Sequence, residues 1–101
     1  MPAVDTELKE ETIVKISPPS MWKVVFLNDD QTPMEFVIQL LTTIFKHSED
    51  SAKEITLEIH NTGSGIAGIY SYEIAEQRGI EATQIARNNQ YPLRIQVEKD
   101  E

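Results

Sequence analysis

The stretch "MWKVVFLNDDQTPMEFV", residues 21 to 37, contains the transition that decides the fold. Its first part, residues 21 to 27, is β-branched and aromatic, and a short apolar run bounded by turn-forming residues predicts a buried strand. Asn28, Asp29 and Asp30 follow at once and predict a turn. Three acceptor side chains are therefore expected where this strand ends.

A helix is predicted to begin directly after the turn. Thr32 and Glu35 have the spacing of a capping box, and Pro33 suits the first helical position, where its missing N–H costs nothing. Over residues 33 to 46, large apolar residues recur at three- and four-residue spacing, which predicts a wide buried face. They are Phe36, Val37, Leu40, Leu41, Ile44 and Phe45.

The rest of the chain predicts two more helices and two more strands. They are a helix from Ser48 that ends near Gly63, a strand over residues 64 to 70, a helix capped by Ser71 over residues 72 to 89, and a strand over residues 93 to 97. The predicted fold class is α+β: a small single domain in the order β-α-α-β-α-β, with an antiparallel three-stranded sheet packed against three helices.

A length of 101 residues suits one domain. Residues 1 to 20 mix charge with few large apolar side chains and close on Ser17-Pro18-Pro19-Ser20, which predicts a flexible N-terminal extension. Residues 21 to 99 are the predicted core domain, and residues 100 to 101 are an acidic C-terminal end.

Composition and charge exclude several classes of function. The net charge of -8 comes from 17 acidic and 9 basic residues, so nucleic acid and anionic membranes are not expected as partners. The chain has no cysteine, which excludes disulfides and thiolate chemistry. It has no apolar run of the roughly 18 residues that a membrane span needs, and its start lacks the features of a signal peptide. We expect a cytoplasmic protein.

Two patterns that could carry chemistry have simpler structural interpretations. Gly63, Gly65 and Gly68 spell G-x-G-x-x-G, but here the motif leaves a helix and opens a strand, the reverse of a dinucleotide site. We expect one glycine to end the helix and the others to allow close backbone approach. His47 and His60 lack metal-ligand spacing, and no nucleophile–base pair stands out. No catalytic residue, metal or cofactor is predicted.

The acceptor turn has a further feature that points to a ligand. An isolated Asn-Asp-Asp would simply cap a turn by bonding to nearby backbone amides. The helix that follows, however, supplies Met34 and Val37 near its start, so acceptors and apolar side chains should converge at one place. That combination fits an amphipathic cation.

Four segments carry a family resemblance: "LNDDQTPMEFV" from residue 27, "EIH" from residue 58, "GIY" from residue 68 and "ARNNQYPL" from residue 86. Their order and spacing closely resemble ClpS, the adaptor family of the Clp ATP-dependent protease, over roughly residues 18 to 99. The resemblance implies an adaptor and not an enzyme. Such adaptors bind substrates with a free bulky hydrophobic N-terminal residue (an N-degron) and deliver them to the N-terminal domain of a ClpA- or ClpC-type AAA+ unfoldase.

The resemblance also implies site residues, carried over by position. The α-amino group of the substrate is expected at Asn28, Asp30 and His60, with Asp29 in the same turn. The pocket for its side chain is expected at Leu27, Thr32, Met34, Val37, Thr56, Ile59 and Leu93. The unfoldase is expected to dock on Glu73 and Arg78, and residues 1 to 20 would serve delivery.

Physical chemistry agrees with this assignment. An ammonium has three donors and one charge, so it needs three acceptors and a nearby carboxylate. His60 accepts a hydrogen bond only while neutral, so acidification is predicted to weaken binding. Met34 would guard the pocket mouth, as in members that exclude β-branched first residues. Thr56 departs from the usual Met, which predicts a larger and more polar pocket.

Two alternatives stay open from the sequence. The acceptor cluster could serve a metal- or small-cation-binding protein, or the fold could be a protein-interaction module without N-degron recognition.

Overall fold

The computed structural model describes residues 19–101, and the predicted extension over residues 1 to 20 lies almost wholly outside this part. The described elements are β1 (Trp22–Leu27), α1 (Met34–Thr43), α2 (Glu49–Thr62), β2 (Ser64–Tyr70), α3 (Tyr72–Asn88) and β3 (Arg94–Lys99). This order confirms the predicted one. No helix in the described part is long and apolar enough to cross a bilayer.

The strand β1 lies in the middle of the sheet. β1 pairs antiparallel with both neighbours, which gives the strand order β2-β1-β3. Side chains alternate across a strand, so Val24 and Phe26 are fully buried in the core while Val25 lies on the other face. On the core face, α3 packs on all three strands, α2 packs on β2, and α1 packs on α2. The predicted fold class is confirmed.

The core holds thirteen buried residues from all three helices, the sheet and two connecting loops: Val24, Phe26, Val37, Leu40, Leu41, Phe45, Ala52, Ile59, Ala67, Ala75, Ala82, Ala86 and Leu93. The α3 contribution is three alanines, each fully buried, and these small side chains let the helix lie close to the sheet. The rings of Phe26 and Phe45 meet edge to face with centroids 5.5 Å apart. Burying each large side chain stabilises the fold by about 1.5–3 kcal/mol.

The glycine-rich segment after α2 has the predicted structural role. Gly63 adopts φ 99°, and its amide donates to the Ile59 carbonyl at 2.9 Å, which ends the helix. At Gly65 a Cβ atom would lie 2.7 Å from Ile59 Cγ1 and 3.4 Å from the Ile55 carbonyl oxygen. Only glycine therefore lets β2 pass this close to α2.

The predicted capping box at the start of α1 is wrong. The Thr32 hydroxyl donates to the Asp29 carboxylate at 2.7 Å, and Pro33 is the N-cap residue, without a side-chain capping bond. Donation to a carboxylate is a strong charge-assisted hydrogen bond, so it turns the hydroxyl toward Asp29 in the preceding turn and away from the helix amides, which would need its oxygen as an acceptor.

Two other helix boundaries also differ from the prediction. The predicted helix over residues 33 to 46 ends at Thr43, and Lys46 has φ 64°, a left-handed conformation that cannot continue a helix. Ser71 is the N-cap of α3, as expected, but its side chain makes no capping bond.

Candidate functional site

The turn after β1 is held by the side chain of Asp29. Its Oδ1 accepts the amides of Gln31 at 2.7 Å and Thr32 at 2.8 Å, and its Oδ2 accepts the Thr32 hydroxyl at 2.7 Å. Partial burial raises the pKa of Asp29, but these hydrogen bonds, with a contribution from Arg87, outweigh it and hold the pKa below its usual value. The carboxylate is therefore ionised at neutral pH, and both of its oxygens are engaged within the turn.

A backbone bond brings this turn to the end of α2. The Asn28 amide donates to the Gly63 carbonyl at 2.9 Å, and His60 lies in the last turn of the same helix. Asn28, Asp30 and His60 are all exposed to solvent. The C-terminus of a helix carries a partial negative charge, so the helix dipole adds to the attraction for a cation here.

A cavity of about 320 Å³ opens between the turn, α1 and α2. It is lined by Asn28, Asp29, Asp30, Thr32, Met34, Val37, Thr56, Ile59 and His60. Val37, Thr56 and Ile59 are at most 5% exposed and form its floor, while Met34 is 40% exposed. Polar acceptors and an apolar floor therefore meet in one small cavity, of a size suited to a small ligand group.

Thr56 on the cavity floor is only 3% exposed, and its hydroxyl donates to the Ala52 carbonyl at 2.7 Å. Its donor is satisfied inside α2. The small side chain of Thr56 therefore leaves no unpaired polar group at the floor.

The chain matches a known family model over most of its length. The model for the ATP-dependent Clp protease adaptor protein ClpS matches residues 17–96. The chain belongs to the ClpS family. This confirms the resemblance that the four sequence segments predicted.

Curated relatives agree with this family. The chain is 43% identical to a ClpS of Bdellovibrio bacteriovorus over 90 residues, which cover 89% of this chain and 79% of the relative. It is 48% identical to a ClpS of Gluconobacter oxydans over 82 residues, 81% of this chain and 69% of the relative. Both relatives are named ATP-dependent Clp protease adapter protein ClpS.

A solved structure has the same fold. It is that of Agrobacterium tumefaciens ClpS2 bound to L-phenylalaninamide, with a TM-score of 0.79 and 35% sequence identity. The match covers 82% of this chain and all of the other.

Two residues that the ClpS resemblance assigned to the pocket lie outside the cavity lining. Leu27 ends β1, and strand alternation turns its side chain to the face of Val25, away from the core. Leu93 is 1% exposed and packs in the same hydrophobic core as Val37 and Ile59, which do line the cavity. The assignment of Leu27 and Leu93 to the pocket therefore stays a prediction.

Sequence reasoning missed Arg87, which supports this site. Its Nη1 donates to the carbonyls of Tyr91 at 2.9 Å and Leu93 at 2.7 Å, and its charge helps to lower the pKa of Asp29. The guanidinium thus ties the loop before β3 to the neighbourhood of the acceptor turn. Arg87 lies inside the "ARNNQYPL" segment, but by charge alone it looks like a solvated helix residue.

A larger groove between α1 and α2 lacks these features. It measures about 680 Å³, and its lining mixes Glu35, Glu49 and Lys53 with His47, so no set of acceptors converges on one point. The His47 ring is engaged by the Ala67 carbonyl at 2.5 Å and the Ser51 hydroxyl at 3.2 Å.

The two histidines cannot share a metal ion. His47 precedes the 14-residue helix α2 and His60 lies in its last turn, so about 20 Å of helix separates them. Within residues 19–101, no three His, Cys, Asp or Glu side chains lie close enough together to hold a metal ion.

The residues assigned to unfoldase docking, Glu73 and Arg78, both lie on α3. Five residues turn a helix by about 140° past a full turn, so the two side chains point to different flanks. Burial holds the pKa of Tyr70 above its usual value, and the positive charge of Arg78 offsets part of that rise, so Arg78 lies near Tyr70 of β2. Glu73 lies on the solvent-facing side with Glu76 and Glu81.

Proposed function

We propose that this protein is an N-degron adaptor, which binds substrates by a free bulky hydrophobic N-terminal residue and delivers them to a Clp AAA+ unfoldase. It would act by binding and not by catalysis. The observation that carries the proposal is that polar acceptors at the mouth adjoin an apolar floor within one cavity.

The mouth suits an α-ammonium group. Asn28, Asp30 and His60 offer exposed acceptors, and Asp30 supplies a negative charge. Hydrogen bonds to a charged group contribute roughly 1.5–3 kcal/mol each. Asp29 lines the cavity too, but its oxygens already hold the turn, so we assign it the role of positioning the other acceptors.

The floor suits the first side chain of the substrate. Burying one Leu or Phe side chain against Val37, Thr56 and Ile59 contributes roughly 1.5–3 kcal/mol. The free energy from the hydrogen bonds to the ammonium adds to this contribution, and the cost of association is subtracted from the sum. The result is an affinity on the order of micromolar. Neither half alone suffices, because an internal or acetylated residue leaves the acceptors unpaired.

The solved relative supports this assignment by the chemistry of its ligand. Agrobacterium tumefaciens ClpS2 was solved with L-phenylalaninamide, which has a free α-amino group and an aromatic side chain. These are the two groups that the mouth and the floor of the present cavity would bind.

Delivery would use other parts of the chain. We assign docking on the N-terminal domain of a ClpA- or ClpC-type unfoldase to Glu73 and Arg78, and transfer of the substrate to residues 1 to 20. An adaptor of an ATP-dependent protease works beside that protease, which we place in the cytoplasm. Charge reversal at both docking residues should abolish degradation of a Phe-initiated substrate while leaving its affinity for the adaptor unchanged.

A peptide titration tests the recognition step. A Phe-initiated peptide should bind at least 100-fold more tightly than its N-acetylated form, with no change on adding a chelator. Binding that the chelator abolishes would favour the metal-binding alternative. Failure of both peptides to bind would favour an interaction module without N-degron recognition.

A further inference from the structure

A second hollow, of about 410 Å³, lies between α3 and β3. Its apolar lining comes from Trp22, Tyr72, Ile80, Ile95 and Val97, and none of its residues lines the acceptor cavity. We call it the α3–β3 hollow.

Gly79 lets α3 lie close to β3 beside this hollow. A Cβ atom at this position would lie 3.2 Å from Val97 Cγ2 and 3.8 Å from Ile95 Cγ2, so a larger residue would crowd Val97 and move the helix away from the strand. One wall is formed by Trp22 and Tyr72, whose rings pack edge to face with their centroids 4.8 Å apart. The hollow is therefore a shaped feature of the fold, and its aromatic wall is already packed.

Its exposed walls are apolar, and the charged residue in its lining is Glu76. Ile80 is 53% exposed and Tyr72 is 45% exposed, and both line the hollow. Glu76 accepts the Tyr72 hydroxyl at 3.2 Å, and a neighbouring depression on α3 adds Glu73 and Glu81. Neither depression is lined by a Lys or Arg.

We propose that the α3–β3 hollow binds a protein segment that presents one large apolar side chain flanked by basic residues. The apolar side chain fills the hollow beside Ile80. The basic residues meet Glu76 and the ring faces of Trp22 and Tyr72, and Glu73 and Glu81 in the neighbouring depression add to the negative charge nearby. With a chain net charge of -8, an acidic segment would be repelled. This inference is independent of N-terminal recognition.

An NMR titration of the full-length protein tests the proposal. The probes are an N-acetylated peptide with one Leu between lysines and a twin with glutamates, since acetylation removes the free amine that the acceptor cavity requires. The Lys peptide should shift the Trp22 indole and Ile80 methyl signals and bind at least tenfold more tightly than its twin. Added salt should reduce this preference, because the charges are exposed.

Matched variants localise the binding. Ile80→Lys should lower the affinity for the Lys peptide at least tenfold. The control is Leu57→Lys, at a leucine of α2 that is 52% exposed, which should change that affinity less than twofold. Ile80→Lys should leave binding of a Phe-initiated peptide intact, which separates this surface from the acceptor cavity. Equal binding of the twin peptides, or no effect of Ile80→Lys, would overturn the proposal.

Two other occupants are distinguishable in the same samples. Concentration-dependent dimerisation that Ile80→Lys abolishes would assign the hollow to a second copy of the chain. Nuclear Overhauser contacts from the Ile80 methyl to residues 1 to 18 would assign it to the chain's own N-terminal segment. Either result would contradict binding of a basic partner.

Discussion

The two neighbouring aspartates of the acceptor turn differ in what their carboxylates can do. Asp29 has both oxygens engaged by Gln31 and Thr32, whereas Asp30 is exposed at the mouth of the cavity. The sequence alone gives two adjacent acids with the same chemistry. The fold assigns one to building the turn and leaves the other for a ligand.

Substitution by asparagine should separate these roles. Asp30→Asn removes the charge that faces the ammonium. It should lower the affinity for a Phe-initiated peptide roughly 10- to 100-fold, which is the equivalent of one charge-assisted hydrogen bond. Asp29→Asn keeps the shape of the turn and should change affinity less than about threefold. Isothermal titration calorimetry measures both, and equal losses would mean that Asp29 also contacts the ligand.

The lowered pKa of Asp29 predicts an acid-dependent contribution to stability. A carboxyl with a depressed folded pKa stabilises the fold above about pH 4, and the contribution disappears as the pH falls through the folded value. The difference in unfolding free energy between wild type and Asp29→Asn should therefore be largest near neutral pH. Urea unfolding from pH 7 down to pH 2.5 measures it, and a pH-independent difference would refute the role of the charge.

Thr56 should set the size of side chain that the floor accepts. Thr56→Met adds bulk to a buried position and should lower the affinity for a Trp-initiated peptide relative to a Leu-initiated one. Thr56→Val has nearly the same shape and loses only a hydroxyl that is bonded to Ala52. The ratio of the affinities for the Trp-initiated and Leu-initiated peptides should therefore stay within about threefold of the wild-type ratio. If Thr56→Met leaves the ratio of the Trp-initiated to the Leu-initiated peptide affinity unchanged, Thr56 does not limit the size of side chain that the pocket accepts.

At the level of the secondary-structure elements, the close contact between α2 and β2 positions the residues that α2 contributes to the cavity. Gly65 allows that approach against Ile59, and Ile59 and His60 both line the cavity. Gly65→Ala forces a methyl group into this contact and should destabilise the fold by about 1–3 kcal/mol. Because α2 must shift, peptide affinity should also fall. Gly63→Ala, which strains φ without crowding Ile59, serves as the comparison, and equal peptide affinity in the Gly65 variant would show that α2 does not shift.

Local patterns predicted the elements better than their ends. The segment over residues 64 to 70, whose ends were predicted only to within a few residues, forms β2, because its β-branched residues lie between a helix stop and a cap. The start of α1 was misread, because the Thr32 hydroxyl has two possible partners and only the turn geometry shows that Asp29 takes it. Capping patterns describe which bonds are possible, and competition in the folded turn decides among them.

At the scale of the whole molecule, the sequence predicted the composition of the site better than its arrangement. The acceptors and most of the apolar residues do meet in one cavity. Leu27 and Leu93 are not among the residues that line it, and their assignment to the pocket stays a prediction. Arg87 was missed because its partners are backbone carbonyls of a loop, which leave no trace in residue type.

The central claim is that the acceptors select a free chain start. The most direct test is calorimetric titration of an Asp30→Ala/His60→Ala double variant with a Phe-initiated peptide and its N-acetylated twin. Both residues are exposed, so the fold should survive. Loss of two charge-assisted hydrogen bonds should lower the affinity for the Phe-initiated peptide at least 100-fold. The variant should then no longer prefer this peptide to its N-acetylated twin. Undiminished binding of the free peptide by the double variant would contradict the account.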